Sequence, residues 1–197
     1  MPDQTHLVLT GFDPAKPEHV QQITDLFTLY LAEDFERTRF APMGHPVGFH
    51  LRTLTVWDGP AMVAFCSIDT ARYSIELIYV TPTHRRQGIA ETVYRDLKSS
   101  CPRELHVKGP LSPAGLALAE RVGLPVDHGT EDEIAESAKV DAEFHSTLRA
   151  VCGHSRGNPL HACSRCYQRA FRRVARAIVG NYAEACQLIA EGKAVLI

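Results

Sequence analysis

Long apolar runs are missing from this sequence. Among its 197 residues no stretch of about 18 apolar positions occurs, which excludes a membrane-spanning helix. The opening residues Met1-Pro2-Asp3-Gln4 lack a basic flank leading into an apolar stretch, so no secretory leader is expected and a cytoplasmic location is the simplest reading. Internal repeats and low-complexity segments are absent as well. A large excess of one charge is also lacking, since the formal net charge is −2. The balance hides an asymmetry. Residues 1–150 carry 14 basic against 21 acidic side chains, whereas residues 151–197 carry 7 against 2.

What remains is a chain that is 45% apolar, enough to bury a sizeable core. Its length suits one full domain with a small appendage. Leu7 to Leu9 is a short strand candidate. Asp13-Pro14 opens a helix with Val20, Ile23, Phe27 and Tyr30 on one face, and Glu33 to Glu36 continue it or form a second short helix. Arg39 to His50 reads as a loop. Leu51–Trp57 and Ala61–Ile68 form a hairpin about the turn Asp58-Gly59-Pro60. Tyr73–Val80 is a further strand, stopped at Thr81-Pro82. Gly88 begins a helix that ends before Pro102, and Glu104–Lys108 is a short strand. Ser112 caps a helix that stops at Gly123, and a short strand lies near Val126. Thr130 and Glu133 have capping-box spacing ahead of an amphipathic stretch. The composition changes from Cys152 onward. The expected organisation is a domain over residues 1–128, a connecting helix over 129–150 and a tail over 151–197.

The strand, loop and helix from Tyr73 to Leu97 carry the most chemistry. The first turn of a helix exposes unpaired N–H groups and the positive end of its dipole. A glycine there lets a phosphate approach the backbone, and arginines add charge-assisted hydrogen bonds. Arg85, Arg86, Gly88 and the small Ala90 therefore suit a pyrophosphate-bearing ligand. The spacing is neither that of a Walker loop nor that of a dinucleotide-binding turn. Taken alone, this segment reads as an ordinary basic helix start.

Its context says more. Leu77-Ile78-Tyr79-Val80-Thr81-Pro82-Thr83-His84-Arg85-Arg86-Gln87-Gly88-Ile89-Ala90 resembles the acetyl-CoA signature of the GNAT superfamily, with Arg85, Gly88 and Ala90 at the motif positions. The order of elements over residues 5 to 128 is similar to that family too. The resemblance implies an α/β (α+β) fold whose mixed sheet, flanked by helices, splays apart after the Tyr73–Val80 strand. It implies a pantetheine arm bonded to the backbone of Ile78 and Val80, and a pyrophosphate on the amides of Arg86, Gln87, Gly88, Ile89 and Ala90. Ser112 would line the same cleft.

Acetyl transfer to an amine needs a base to remove a proton and donors that face the thioester oxygen. The resemblance assigns the second task to the Val80 amide. Glu76 is the base candidate, as the only carboxylate on the signature strand, and strict alternation places it with Ser74, Ile78 and Val80. Two positions depart from the family pattern. Ser74 stands where many members have a glutamate, and Ala119 where they often have a tyrosine that protonates the departing thiol. Tyr79 is the substitute for that acid. Glu33, Asp34 and Glu36 fall where the family lines its acceptor pocket, favouring a cationic acceptor.

Of six cysteines, Cys66, Cys101 and Cys186 stand among apolar residues and read as small core groups. Cys152, His154, Cys163 and Cys166 form a C-x-H…C-x-x-C arrangement suited to a closed, structural tetrahedral zinc site. His161 is an alternative to His154. The layout resembles small treble-clef-like zinc modules, which adds a C-terminal zinc-binding helical module to the expected fold. Past it, Arg165, Arg169, Arg172, Arg173 and Arg176 line one helix face, which either contacts nucleic acid phosphates or is simply solvated. Gly180-Asn181 is expected to end this helix before a last one over Tyr182–Glu191. The leading functional expectation is an acetyl-CoA-dependent N-acetyltransferase acting on a primary amine. The alternative is a non-catalytic nucleic-acid- or protein-binding adaptor on the same fold.

Overall fold

The computed structural model describes residues 7–41, 44–154 and 162–195. Met1 to Gln4, on which the leader expectation rests, and His161 lie outside them. Strands β1 (Leu7–Gly11), β2 (Leu51–Asp58), β3 (Ala61–Asp69), β4 (Ser74–Val80), β5 (His106–Lys108) and β6 (Val126–Asp127) form one sheet in chain order. The first three pairings are antiparallel and the last two parallel. The helices are α1 (Pro17–Thr38), α2 (Ile89–Ser100), α3 (Pro113–Val122), α4 (Glu131–Val151) and α5 (Ser164–Ala190). The mixed α/β class expected from the sequence is the one observed. Among the described residues, no helix is long and apolar enough to cross a membrane.

Both faces of the sheet are covered. On one, Ile23, Phe27, Leu31 and Phe35 of α1 and Tyr167, Phe171, Ala175 and Val179 of α5 pack on Met62, Phe65, Leu77 and Tyr79. On the other, Ile89, Val93 and Tyr94 of α2 and Ala119 of α3 pack on Val63, Ala64, Cys66 and Ile75. The C-terminal helix thus shares a core with α1 and the sheet. Each fully buried side chain of this size contributes about 1.5–3 kcal/mol.

Several boundaries differ from the sequence reading, each for a local reason. Asp13-Pro14 forms a turn instead of opening α1, because the Asp13 carboxylate accepts from the Ala15 amide at 3.0 Å. The helix starts at the next proline, Pro17, and runs unbroken through Glu33–Glu36 to Thr38. Strand β5 begins at His106, not Glu104. Gly180 does not stop the last helix, which is continuous from Ser164 to Ala190. A mid-helix glycine costs about 1 kcal/mol. Fully buried Val179, with Ile178 and Tyr182 packed beside it, outweighs that cost. The expected caps are all present: Ser112 accepts from the Gly115 amide at 3.0 Å, Gly123 ends α3 at φ 69°, and the Thr130–Glu133 capping box is formed.

Candidate active site and metal centre

Strand β4 pairs with β5 only at Ser74 and Ile75, so its run from Glu76 to Val80 has no strand partner on that side. The sheet parts there, as the family resemblance implies. The open edge leads through the 3-10 turn Pro82–His84 to the start of α2. That turn is pinned by His84, whose Nε2 lies 3.2 Å from the Asp58 carboxylate and whose Nδ1 lies 3.0 Å from the Thr81 hydroxyl. No sequence signal singles out Asp58 as an anchor, since that pairing joins residues 26 positions apart.

Beyond the turn, Arg86 and Gly88 both take left-handed conformations, at φ 66° and 79°. Gly88 is the N-cap of α2, and a Cβ added to it would meet nothing within 4 Å. The loop Arg85 to Gly88 is exposed, while Ile89 is buried and anchors the helix to the sheet. The first-turn amides of α2 are left by helix geometry without intrahelical acceptors. Arg86 makes no ion pair among the described residues. Gln87 donates to the Thr83 carbonyl at 3.2 Å and stiffens the loop. Two surface cavities of about 390 and 420 Å³ lie elsewhere, between α1 and α5.

Arg85 turns away from the start of α2. Its Nε donates to the Val80 carbonyl at 3.0 Å, one terminal nitrogen meets Glu33 at 2.5 Å, and the guanidinium lies 5.5 Å from the Tyr79 ring centroid. The buried Tyr79 hydroxyl lies 2.8 Å from the other Glu33 oxygen. Burial, with the Glu33 hydrogen bond adding to it, pushes the Tyr79 hydroxyl far above its ordinary pKa, so it keeps its proton at neutral pH. Of the acidic trio on α1, only Glu33 reaches the end of β4. Asp34 is paired with Arg37, and Glu36 lines the second cavity.

The position of Glu76 corrects the alternation argument. Ile75 faces Ile68 and Leu77 faces Ser67, which makes Glu76 the extra residue of a β-bulge. Ile75, rather than Ser74 or Glu76, therefore shares the α2-side core with Ile78 and Val80. Both Glu76 oxygens are held by Lys108 Nζ at 2.9 and 3.0 Å, and the carboxylate side chain is only 9% exposed. Nothing in the sequence alone marks Lys108. Parallel pairing of Ser74 with His106 and Ile75 with Val107 brings it level with Glu76, so only the register reveals it. His45 also feels this pair. Burial lowers its pKa, Glu76 works against that shift, and His50 and Lys108 reinforce it. Ser74 is buried, and its hydroxyl has no hydrogen-bond partner among the described residues. Ala119 is fully buried in the α2–α3 core, so that position offers no hydroxyl to the cleft. Ser112, half-buried, spends its oxygen on capping α3.

The second constellation lies where α4 meets α5. Cys152 is the C-cap of α4, His154 follows two residues later, Cys163 is the N-cap of α5 and Cys166 lies in its first turn. One ligand atom from each of the four falls within 4.8 Å of every other. The Cys166 sulfur is 3.5 Å from His154 Nδ1, and the Cys163 amide approaches the Cys152 sulfur at 3.4 Å. Tetrahedral zinc with sulfur ligands at about 2.3 Å needs donor separations of about 3.8 Å. Three sulfurs and one imidazole on two chain segments therefore fit a closed four-coordinate ion. All six cysteines are free of disulfides. Cys66 is buried as expected, whereas Cys101 and Cys186 are half-buried.

No protein-family model matches the chain, and no curated protein matches it either. Solved structures do resemble it. A ribosomal-protein-alanine N-acetyltransferase from Brucella melitensis biovar Abortus 2308 is 18% identical, with a TM-score of 0.44 over 63% of this chain and 96% of that one. A possible acetyltransferase from Clostridium difficile 630 is 13% identical, with a TM-score of 0.46 over 63% and 94%. AAC(6')-Iy, solved with the bisubstrate analogue CoA-S-monomethyl-acetylneamine, is 15% identical, with a TM-score of 0.43 over 64% and 95%. Likenesses of this size leave the chemistry to be read from this chain's own residues.

Proposed function

We propose that the chain is a GNAT-type N-acetyltransferase that moves the acetyl group of acetyl-CoA to a primary amine by direct attack within a ternary complex. One observation carries this reading. The unpaired edge of β4 from Glu76 to Val80 runs straight into a loop with two left-handed residues, Arg86 and Gly88, at an open helix N-terminus. That combination supplies backbone groups for an extended arm and a seat for a pyrophosphate. The arm bonds to Ile78 and Val80. The amides from Gln87 to Ala90 and the guanidinium of Arg86 hold the phosphates, while Arg85 stays on Glu33 and the Val80 carbonyl. Ser112 borders the cleft.

In the reaction the amine nitrogen bonds to the thioester carbonyl carbon, the carbon–sulfur bond breaks, the sulfur leaves as thiolate, and the proton that the nitrogen loses passes to a carboxylate and from there to the thiolate. The Val80 amide faces the oxygen on which charge develops. Two carboxylates compete for the proton. Lys108 occupies both oxygens of Glu76, which makes that residue a fixed wall of the cleft. Glu33 is also engaged, by Tyr79 and Arg85, but its side chain is 38% exposed against 9% for Glu76, so an incoming amine reaches it and it is the proposed proton acceptor. Tyr79, which keeps its own proton, orients Glu33. The four donors Cys152, His154, Cys163 and Cys166 hold a structural zinc ion, since all four ligand positions come from the protein and none is open to water.

Calorimetry with acetyl-CoA tests the assignment. The parent is expected to bind, and Gly88→Glu to abolish binding, because the substitution strains a left-handed position and puts negative charge on the phosphate seat. A variant that binds as tightly as the parent overturns the seat. Thiol release with a panel of primary amines then reads the activity.

A further inference from the structure

We propose that the exposed face of α5 is a docking surface for the phosphate backbone of duplex DNA. Arg165, Arg169, Arg172, Arg173 and Arg176 are all exposed, and none makes an ion pair among the described residues. At 100° per residue they fall within an arc of about 100° and extend about 17 Å along the helix. The opposite face of α5, with Tyr167, Phe171, Ala175 and Val179, is buried against α1 and the sheet. The arginines are therefore held outward on a fixed rod. Arg172 and Arg176 also border the groove of about 390 Å³ against Thr24, Asp25, Thr28 and Leu29 of α1, where Asp25 is engaged by Gln21.

The chemistry selects among anionic partners. All five cations are arginines, whose planar forks match phosphate oxygens in pairs. A bilayer surface is disfavoured, because an interfacial helix needs a free apolar face and that of α5 is already covered. Unpaired strands and RNA loops are held mainly by stacking on aromatic rings. The rings of α5 do not offer this, since Tyr167 and Phe171 are buried and Tyr182 is half-buried. A row of guanidinium groups without a stacking platform fits the phosphates of a duplex. The five also account for most of the positive excess of residues 151–197. This surface does not depend on acetyl transfer.

The test titrates the full chain into a fluorescently labelled duplex of about 20 base pairs and reads anisotropy between about 50 and 200 mM salt. Five phosphate contacts give a logarithmic slope near −4.5, a weakening of about 500-fold over that range. Arg169→Gln with Arg173→Gln is expected to weaken binding at the lower salt and to reduce the slope by about 2, with acetyl-CoA binding unchanged. Arg172→Gln with Arg176→Gln removes the same charge elsewhere on the exposed face, is expected to reduce the slope by about 2 as well, and decides the matter if the first pair fails to fold. Absence of salt-sensitive binding, or a glutamine pair that binds like the parent, overturns the proposal. So does a single strand, an RNA hairpin, an acidic polypeptide or an anionic vesicle bound at least tenfold more tightly than the duplex.

Discussion

The two proposed ligand sites, at the start of α2 and the start of α5, both lie at helix N-termini, yet they are built in opposite ways. At α2 the working groups are backbone amides, and the side chains mainly stay clear of them. Gly88 has open space around it, and Arg85 is turned away onto Glu33. At α5 the working groups are side chains, three thiols and an imidazole brought within 4.8 Å of one another from two segments. The first site is open and solvent-facing. The second is tied into the core, since Cys152 and Cys166 sit in the same cluster as Phe35 of α1 and Tyr167 of α5. A backbone seat releases its ligand after each turnover with little change in the fold. A side-chain site embedded in a core makes its ligand part of the fold.

Removing the metal should break this comparison most sharply. Zinc affinity in small structural sites corresponds to roughly 10–16 kcal/mol, much of it folding free energy. Stripping zinc with a chelator, or replacing Cys163 by serine, is expected to lower the melting temperature by at least about 10 °C, because each kcal/mol moves a chain of this size by about 2–4 °C. Acetyl-CoA binding below the new transition should persist, as the α2 loop packs on the other face of the sheet. Elemental analysis finding no metal, or a melting curve indifferent to chelation, would remove the metal from the account.

Within the cleft, the two carboxylates should separate next. Glu33→Gln is expected to reduce kcat by about 100-fold, within the range of a general base, while leaving acetyl-CoA affinity intact. Glu76→Gln frees Lys108 but removes no proton acceptor, so its effect on kcat should be under about tenfold. The reverse order in steady-state kinetics would return the base to Glu76 and make the Glu33–Tyr79–Arg85 cluster a structural tie.

These outcomes bear on how much of the molecule its amino-acid order discloses. The α2 loop and the C-x-H…C-x-x-C cluster are legible in the sequence because each is a short local pattern whose chemistry depends on spacing alone. The partners of Glu76 and Arg85 are not. Lys108 reaches Glu76 across 32 residues through a parallel register, and a single bulge at Glu76 shifts the alternation by one step. Glu33 stands in the sequence only as one of an acidic trio, and the packing of α1 on β4 picks it out. The α1–α5 face of the sheet teaches a similar lesson. The basic stripe on α5 and the apolar face of α1 are both visible at helical spacing, but that the two helices share one core follows only from the packing.

The smallest effect tests a helix end that local signals misplace. Gly180-Asn181 reads as a stop, yet α5 continues through it, and at Gly180 φ is not positive and an added Cβ would meet nothing within 4 Å. Alanine there should therefore fit without strain and restrict the unfolded chain, stabilising the protein by about 0.4–1 kcal/mol. Thermal melting should rise by about 1–4 °C, with metal content and acetyl-CoA affinity unchanged. A fall in stability would mean that residue 180 needs a conformation only glycine adopts, and that α5 is two helices after all. In that case the arginine-bearing half would be held by Tyr167, Phe171 and Ala175 and by the metal site. Zinc removal would then release it more completely than a continuous helix allows.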